Sequence, residues 1–162
     1  MHIEPAAMQD RDLLLRLATS TGLFTTEDAE WLLGKVLDGL HGNILPSGHQ
    51  AFICRSAPGQ ALLGWSYFAP DQHAANVWNL WWIGVSPSAQ GAGAGAHLLR
   101  HAERTIASLG GRLLVIETSD LEITGRARRF YAKEGYSECG RIPDFYSEGE
   151  AKVIFARRPR AD

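Results

Sequence analysis

The sequence predicts a mixed α/β domain of about seven strands and four helices, and three observations carry that prediction. Apolar spacing switches between a period of two and a period near 3.6 in the order β-α-α-β-β-β-α-β-α-β-β. Midway along, Val77–Val85 (VWNLWWIGV) is a dense run of β-favouring apolar and aromatic residues, and Pro87, with no N–H to donate, ends it. Glycines 91, 93 and 95 follow, and then Leu98, Leu99, Ala102, Ile106 and Leu109 recur at helical spacing. Finally, Arg112–Thr118 (RLLVIET) carries an unbroken apolar run expected of a strand buried on both faces. A strand–helix–strand crossover of this length makes that pair parallel and right-handed. The hairpin-spaced strands around it make the rest of the sheet antiparallel.

The remaining elements follow in chain order. Met1–Glu4 reads as a short strand ended by Pro5. Asp10–Ala18 is an amphipathic helix with Leu14, Leu17 and Ala18 on one face, stopped by Thr19-Ser20-Thr21-Gly22. Thr25 with Asp28 three residues on resembles a capping box. The next helix places Ala29, Leu32, Leu33, Val36, Leu37 and Leu40 on one side, and Gly42 is expected to close it in a left-handed conformation. Gln50–Arg55 and Ala61–Ala69 are strands joined by a Pro58-Gly59 turn. Thr124–Glu134 is helical, with Ala127, Phe130 and Tyr131 towards the sheet and Gly135 as the stop. Tyr136–Arg141 and Ala151–Arg157 complete the sheet, linked through a loop that contains Ile142–Tyr146.

Composition narrows the function. A chain of 162 residues is long enough for one domain, 1–162, with a full core. A net charge of −2 and a single short basic run near Arg157–Arg160 argue against a nucleic-acid or anionic-membrane partner. No apolar stretch approaches a membrane span and no signal-peptide core opens the chain, so a cytoplasmic location is expected. Cys54 and Cys139 fit no metal spacing and are expected to be buried free thiols. No metal is expected. A homodimer is admitted, with nothing in the sequence deciding it.

The strand, glycine-rich turn and helix centred on Gly91–Ala96 form an anion site. Glycines let a ligand approach the backbone, and the first helical turn offers unpaired N–H groups at the positive end of the dipole. Two readings compete. Gly91-x-Gly93-x-x-Ala96 fits a dinucleotide fingerprint, with Glu117 about where a ribose-binding acid is expected. That fingerprint wants its glycines at the end of the strand, however, and Ser86-Pro87-Ser88-Ala89-Gln90 intervene. A Walker loop is excluded because no Gly-Lys-Ser/Thr follows.

The residues Val85-x-Pro87-x-x-Gln90-Gly91-x-Gly93-x-Gly95 resemble the acyl-CoA-binding segment of the GNAT superfamily of N-acetyltransferases. Arg129-Phe130-Tyr131-Ala132-Lys133-Glu134-Gly135-Tyr136 is similar to a second segment of the same superfamily. The resemblance implies a GNAT-like mixed, mostly antiparallel sheet with a central splay at Gly84–Val85, flanked by four helices. It implies that acetyl-CoA is the co-substrate. Gln90 and the backbone N–H groups of Gly91, Ala92, Gly93, Ala94, Gly95 and Ala96 would cradle its pyrophosphate, and the strand near Val85 would pair with the pantetheine arm. Thr124 stands where relatives carry an Asn that contacts pantetheine. The region of the first two helices, with Phe24 in its loop, would border the acceptor; a plain core role for Phe24 weighs equally.

The chemistry implied is acetyl transfer to a primary amine of a small molecule or peptide by direct attack on the thioester. The backbone N–H near Val85 would steady the oxyanion, and Tyr131 would protonate the leaving thiolate, with a packed aromatic whose hydroxyl only hydrogen-bonds as its alternative. Many relatives carry a carboxylate base where this chain has Asn79, which cannot accept a proton at neutral pH. Glu117 is the nearest substitute by topology, with a surface or salt-bridged role as its alternative. Asp144 in the Ile142–Tyr146 loop is a candidate to attract a cationic amine. The competing function is a non-catalytic acyl-CoA sensor, with a dinucleotide-binding protein ranked below it.

Overall fold

The computed structural model describes residues 1–42 and 44–161. Its strands are β1 (His2–Pro5), β2 (Gln50–Arg55), β3 (Leu62–Pro70), β4 (Val77–Val85), β5 (Leu113–Ser119), β6 (Ser137–Ser147) and β7 (Glu150–Arg157). They form one seven-stranded sheet in the order β1-β2-β3-β4-β5-β7-β6. The helices are α1 (Arg11–Ser20), α2 (Thr26–Ala29), α3 (Lys35–His41), α4 (Ala94–Ser108) and α5 (Gly125–Lys133). A π-helical turn, Glu30–Gly34, joins α2 to α3, so these two are one rod and, among the described residues, the helical bodies number four. The pair β4–β5 is parallel, while β1–β2, β2–β3, β5–β7 and β6–β7 are antiparallel. This is the mixed, mostly antiparallel class that the element order predicts. Among the described residues no helix is long and apolar enough to cross a membrane.

The chain divides into two compact units, Met1–Ala69 with Trp82–Ala102, and Pro70–Trp81 with Glu103–Asp162. In the first, alternation sorts the strands' side chains between two apolar layers. Leu14, Leu17 and Ala18 of α1 and Leu33 and Leu37 of the second rod pack with Ile53, Trp65 and Trp82. Trp65 Nε1–H donates to Leu14 O at 3.1 Å, which satisfies the one polar atom of a fully buried indole. Phe24 packs against this layer, its ring 5.4 Å from Trp82. On the opposite layer Cys54, Ala94 and Leu98 meet Ile3, Leu63, Ile83 and Val85. Each such fully buried aliphatic contributes roughly 1.5–3 kcal/mol.

Helix starts and stops follow local chemistry, with two corrections. Thr25 caps α2, its Oγ1 accepting from Asp28 N–H at 3.1 Å. The reciprocal half of a capping box is replaced, because Thr25 Oγ1–H instead donates to the Asp28 carboxylate at 2.7 Å. Gly42 is not left-handed: its φ is −83°, and its N–H donates to Asp38 O at 2.9 Å, continuing the helical pattern. Gly135, by contrast, closes α5 at φ +86°, as expected.

In the second unit β5 departs from expectation. Leu114 and Ile116 are fully buried, but Val115 is only half-buried and Glu117 is exposed, so the strand has one core face and one open face. The Ile142–Tyr146 segment is not a free loop. It belongs to β6, whose pairing with β7 slips between Ile142 and Ser147, with Asp144 at φ +51°. Its geometry is that of a bulged strand, which twists the backbone and re-aims side chains. Cys139 lies on this strand and is exposed, contrary to the expectation of burial; Cys54 is buried.

A buried ion network holds the far end of the second unit. Glu103 of α4 is 1% exposed, accepts from Tyr136 Oη–H at 2.8 Å, and lies 3.5 Å from Arg157 and 3.6 Å from Arg160. Burial first, and then the Glu103 charge, raise the Tyr136 phenol well above its ordinary value. Both arginines also donate to Glu134 O, Arg157 at 3.0 Å, which satisfies a carbonyl at the C-terminal end of α5.

Candidate active site

The glycine segment lies in the first unit and the predicted catalytic side chains, Glu117 and Tyr131, lie in the second.

In the first unit, β4 ends at Val85 and a short 3-10 turn, Pro87–Ala89, leads to the glycines. Gly91 and Gly93 have φ of +86° and +90°, values that only glycine adopts without strain. A Cβ at Gly91 would meet nothing within 4 Å, so the requirement there is conformational and not steric. Gly95 is not part of the turn. It sits inside α4, which begins at Ala94. The N–H of His97 donates to Gly93 O at 3.0 Å and so closes the first helical turn. The N–H groups of Ala94, Gly95 and Ala96 precede it and have no partner along the helix. The segment therefore presents donors and a dipole end, which is what an anion requires.

In the second unit, sheet register builds a cavity of about 300 Å³. Asn79 of β4 stands opposite Val115 of β5, and alternation carries Trp81 and Glu117 to that same face. On β7, Ile154 is opposite Glu117 and Lys152 opposite Ser119, so Lys152 is a diagonal neighbour of Glu117 on one face. Asn79, Trp81, Val115, Glu117, Tyr146 and Lys152 all line the cavity. Lys152 Nζ lies 2.5 Å from Glu117 Oε2. The β6 bulge brings the rings of Phe145 and Tyr146 to the same ammonium, with centroids at 3.7 and 5.8 Å. Asp144 serves the turn, its Oδ1 accepting from Gly149 N–H at 2.7 Å.

Asn79 is nearly buried and donates through Nδ2 to Asp71 Oδ2 at 3.0 Å. That bond, together with the His73 N–H bonded to the same carboxylate, holds the Asp71 carboxyl below its ordinary value. A carboxylate thus already stands next to position 79, and a second one there would face it.

Tyr131 lies on α5 and is 6% exposed, among the rings of Phe130, Tyr136 and Phe155. Burial raises its phenol above its ordinary value. It is not among the residues lining the cavity. Thr124 turns its hydroxyl to its own loop, within hydrogen-bonding distance of Ser119 O (2.7 Å) and Leu121 O (2.8 Å), and accepts from Arg128 Nη1 at 2.6 Å. The register thus unites Glu117 with Asn79, Trp81 and Tyr146. Lys152 went unforeseen, because its only sequence signal is a charge amid the alternating apolar residues of EAKVIFAR.

The sheet has this mixed order, with a parallel β4–β5 pair joined through a glycine-led helix, and comparison with known proteins gives its family. The profile of the acetyltransferase (GNAT) domain matches residues 47–138, more than half the chain, and the protein belongs to that family. A search of curated proteins returns no match. Among solved structures, a protein from Desulfovibrio desulfuricans described as a GNAT-family acetyltransferase is 28% identical, with a TM-score of 0.90 over 98% of this chain and 99% of its own. An aminoglycoside 6'-N-acetyltransferase complexed with coenzyme A is 19% identical, with a TM-score of 0.77 over 100% of both chains. The ribosomal-protein-S18-alanine N-acetyltransferase of Escherichia coli is 16% identical, with a TM-score of 0.74 over 98% of this chain and 93% of its own. At such identities the last two share the fold.

Proposed function

We propose that the chain, 1–162, acts as one N-acetyltransferase domain that moves the acetyl group of acetyl-CoA directly to a primary amine of a small molecule or peptide. The observation that carries this reading is the Gly91–Ala96 segment. Positive φ at Gly91 and Gly93 and the open first turn of α4 give the donor set that a pyrophosphate needs. Membership of the GNAT family supports acyl transfer, and the CoA held by one structural neighbour supports the choice of co-substrate. In this reading Gln90 and the N–H groups of Gly91 to Ala96 hold the pyrophosphate, that of Ala92 giving up its bond to Ala89 O (3.3 Å) to do so. Val85 serves the pantetheine arm, at a splay of the sheet at Gly84–Val85; Thr124, whose hydroxyl is held by its own loop, takes a pantetheine role on the resemblance alone.

The chemistry asks for a neutral amine, a steadied oxyanion and a protonated leaving group. Tyr131 is assigned the last role. Burial raises its phenol, which keeps the proton on the oxygen until a thiolate is there to take it. Glu117 is assigned the first. As a carboxylate in the cavity wall it takes the amine's proton through a water molecule, with Lys152 as its counter-ion. Tyr131 then recovers a proton from solvent and Glu117 releases one to it, so the reaction leaves the chain unmodified.

The test is release of CoA thiol from acetyl-CoA in the presence of amines, amino acids and peptide N-termini. Turnover with at least one acceptor class is expected. Stabilisation by CoA with no turnover on any amine would instead favour a non-catalytic acyl-CoA sensor.

A further inference from the structure

The carboxylate that lines the cavity of the second unit already has a cation, and the cation belongs to the chain. Lys152 Nζ sits 2.5 Å from Glu117 Oε2 and 3.7 Å from the centroid of the Phe145 ring, with the Tyr146 ring at 5.8 Å. Its side chain is 12% exposed, against 32% for Glu117. A carboxylate flanked by aromatic faces is the arrangement that captures an ammonium ion. Three separate features converge to build it: the face of β5, the diagonal register of β7 and the bulge of β6.

We propose that Lys152 is a built-in counter-ion that closes this cage and thereby sets the acceptor class: a single amine on an uncharged, ring-bearing or apolar body, with polycationic amines turned away. The proposal rests on reading the cavity as the acceptor site of the acetyltransferase. Its physical basis is competition. Lys152 is tethered, so its ammonium meets Glu117 at a high effective concentration that a free cation cannot match. Each charge an acceptor brings beside it meets like charge in a partly enclosed space, where repulsion is only weakly screened, so the penalty is small for a single amine and grows with every further charge of a polycation. With the pair neutralised, what the cavity offers is surface. Trp81, 56% exposed, and Tyr146 line it and suit an apolar or aromatic body.

The experiment is calorimetric titration of the full chain, without acetyl-CoA, using phenethylamine as the single amine on a ring and spermidine as the polycation. The wild type is expected to bind phenethylamine and to bind spermidine at least about tenfold more weakly. Lys152→Met keeps the length of the side chain but removes the charge, and is expected to raise spermidine affinity about tenfold or more, the scale of one charged hydrogen bond. Glu117→Gln combined with Lys152→Met should abolish that gain, and Lys152→Arg should preserve the wild-type discrimination. Circular dichroism verifies that each variant is folded, and if Lys152→Met is not, Glu117→Gln alone decides. With Lys152 then unneutralised, spermidine binding should weaken further. A wild type that binds spermidine as tightly as phenethylamine, or that binds neither, overturns the proposal, as does an unchanged spermidine affinity in Lys152→Met. Because these titrations need no acetyl transfer, their failure is distinct from a failure of the thiol-release assay.

Discussion

At the scale of single residues, the cavity explains why position 79 is an amide. Asn79 donates to Asp71, whose carboxyl is held below its ordinary value of 3.8. A group with a depressed folded pKa contributes stability above its unfolded value, and that stability is lost as pH falls through the folded value. In Asn79→Asp the sign reverses. Two carboxylates in contact raise one pKa, so the stability of this variant relative to wild type is expected to fall as pH rises from 4 to 7. Urea midpoints across that range test it, and a constant difference would show that the two carboxylates do not meet. Tyr131→Phe keeps the ring packed and is expected to lower kcat by about 10²–10⁴-fold while leaving acetyl-CoA affinity nearly unchanged. Since burial raises that phenol, wild-type kcat should show no basic limb from Tyr131 below pH 10. An unaltered kcat would demote the residue to packing. Glu117→Gln is expected to bring a comparable loss in kcat, and an unaltered kcat would mean that the amine arrives already neutral.

At the scale of elements, the helix α4 and the turn before it are the clearest case of local sequence dictating local structure. Positive φ at Gly91 and Gly93 cannot be adopted by an L-residue without strain of about 1–2 kcal/mol. Gly93→Ala is therefore expected to destabilise the chain by about that amount and to weaken acetyl-CoA binding, because the donors on either side are re-aimed. Denaturant unfolding and a binding isotherm separate the two effects. A fully stable variant with intact binding would show that the turn tolerates another geometry. The strand β6 is the opposite case. Its slip between Ile142 and Ser147 depends on pairing with β7, and that slip carries Phe145 and Tyr146 to Lys152.

At the scale of the whole molecule, the proposed function makes a claim about linkage. A ligand bound only by the folded state at a hundredfold its Kd stabilises by about 2.7 kcal/mol. For a chain of this size that corresponds to a rise in Tm of roughly 5–10 °C. Acetyl-CoA is expected to produce it and NAD is not; the reverse ranking would restore the dinucleotide reading. Much of this was legible in the residues. Period and punctuation, which act over a few neighbours, determined the element order, the parallel crossover, the Thr25 cap and the glycine turn. The Pro87–Gln90 spacer, also local, is what ranks CoA above NAD in the expectation that the acetyl-CoA and NAD titrations test. What only tertiary structure decided are pairings between distant segments. The register of β7 on β5 places Lys152 against Glu117, and the face that β5 leaves open makes Glu117 a wall of the cavity and not a core residue. The hydrogen bond from Asn79 to Asp71 makes the amide a partner to a carboxylate, where the residue alone shows only a missing base. A strand's period of two is written in its own sequence, but which partner residue stands opposite is written in neither strand. It is chosen by the sheet as a whole, and the cavity beside Glu117 is built from that choice.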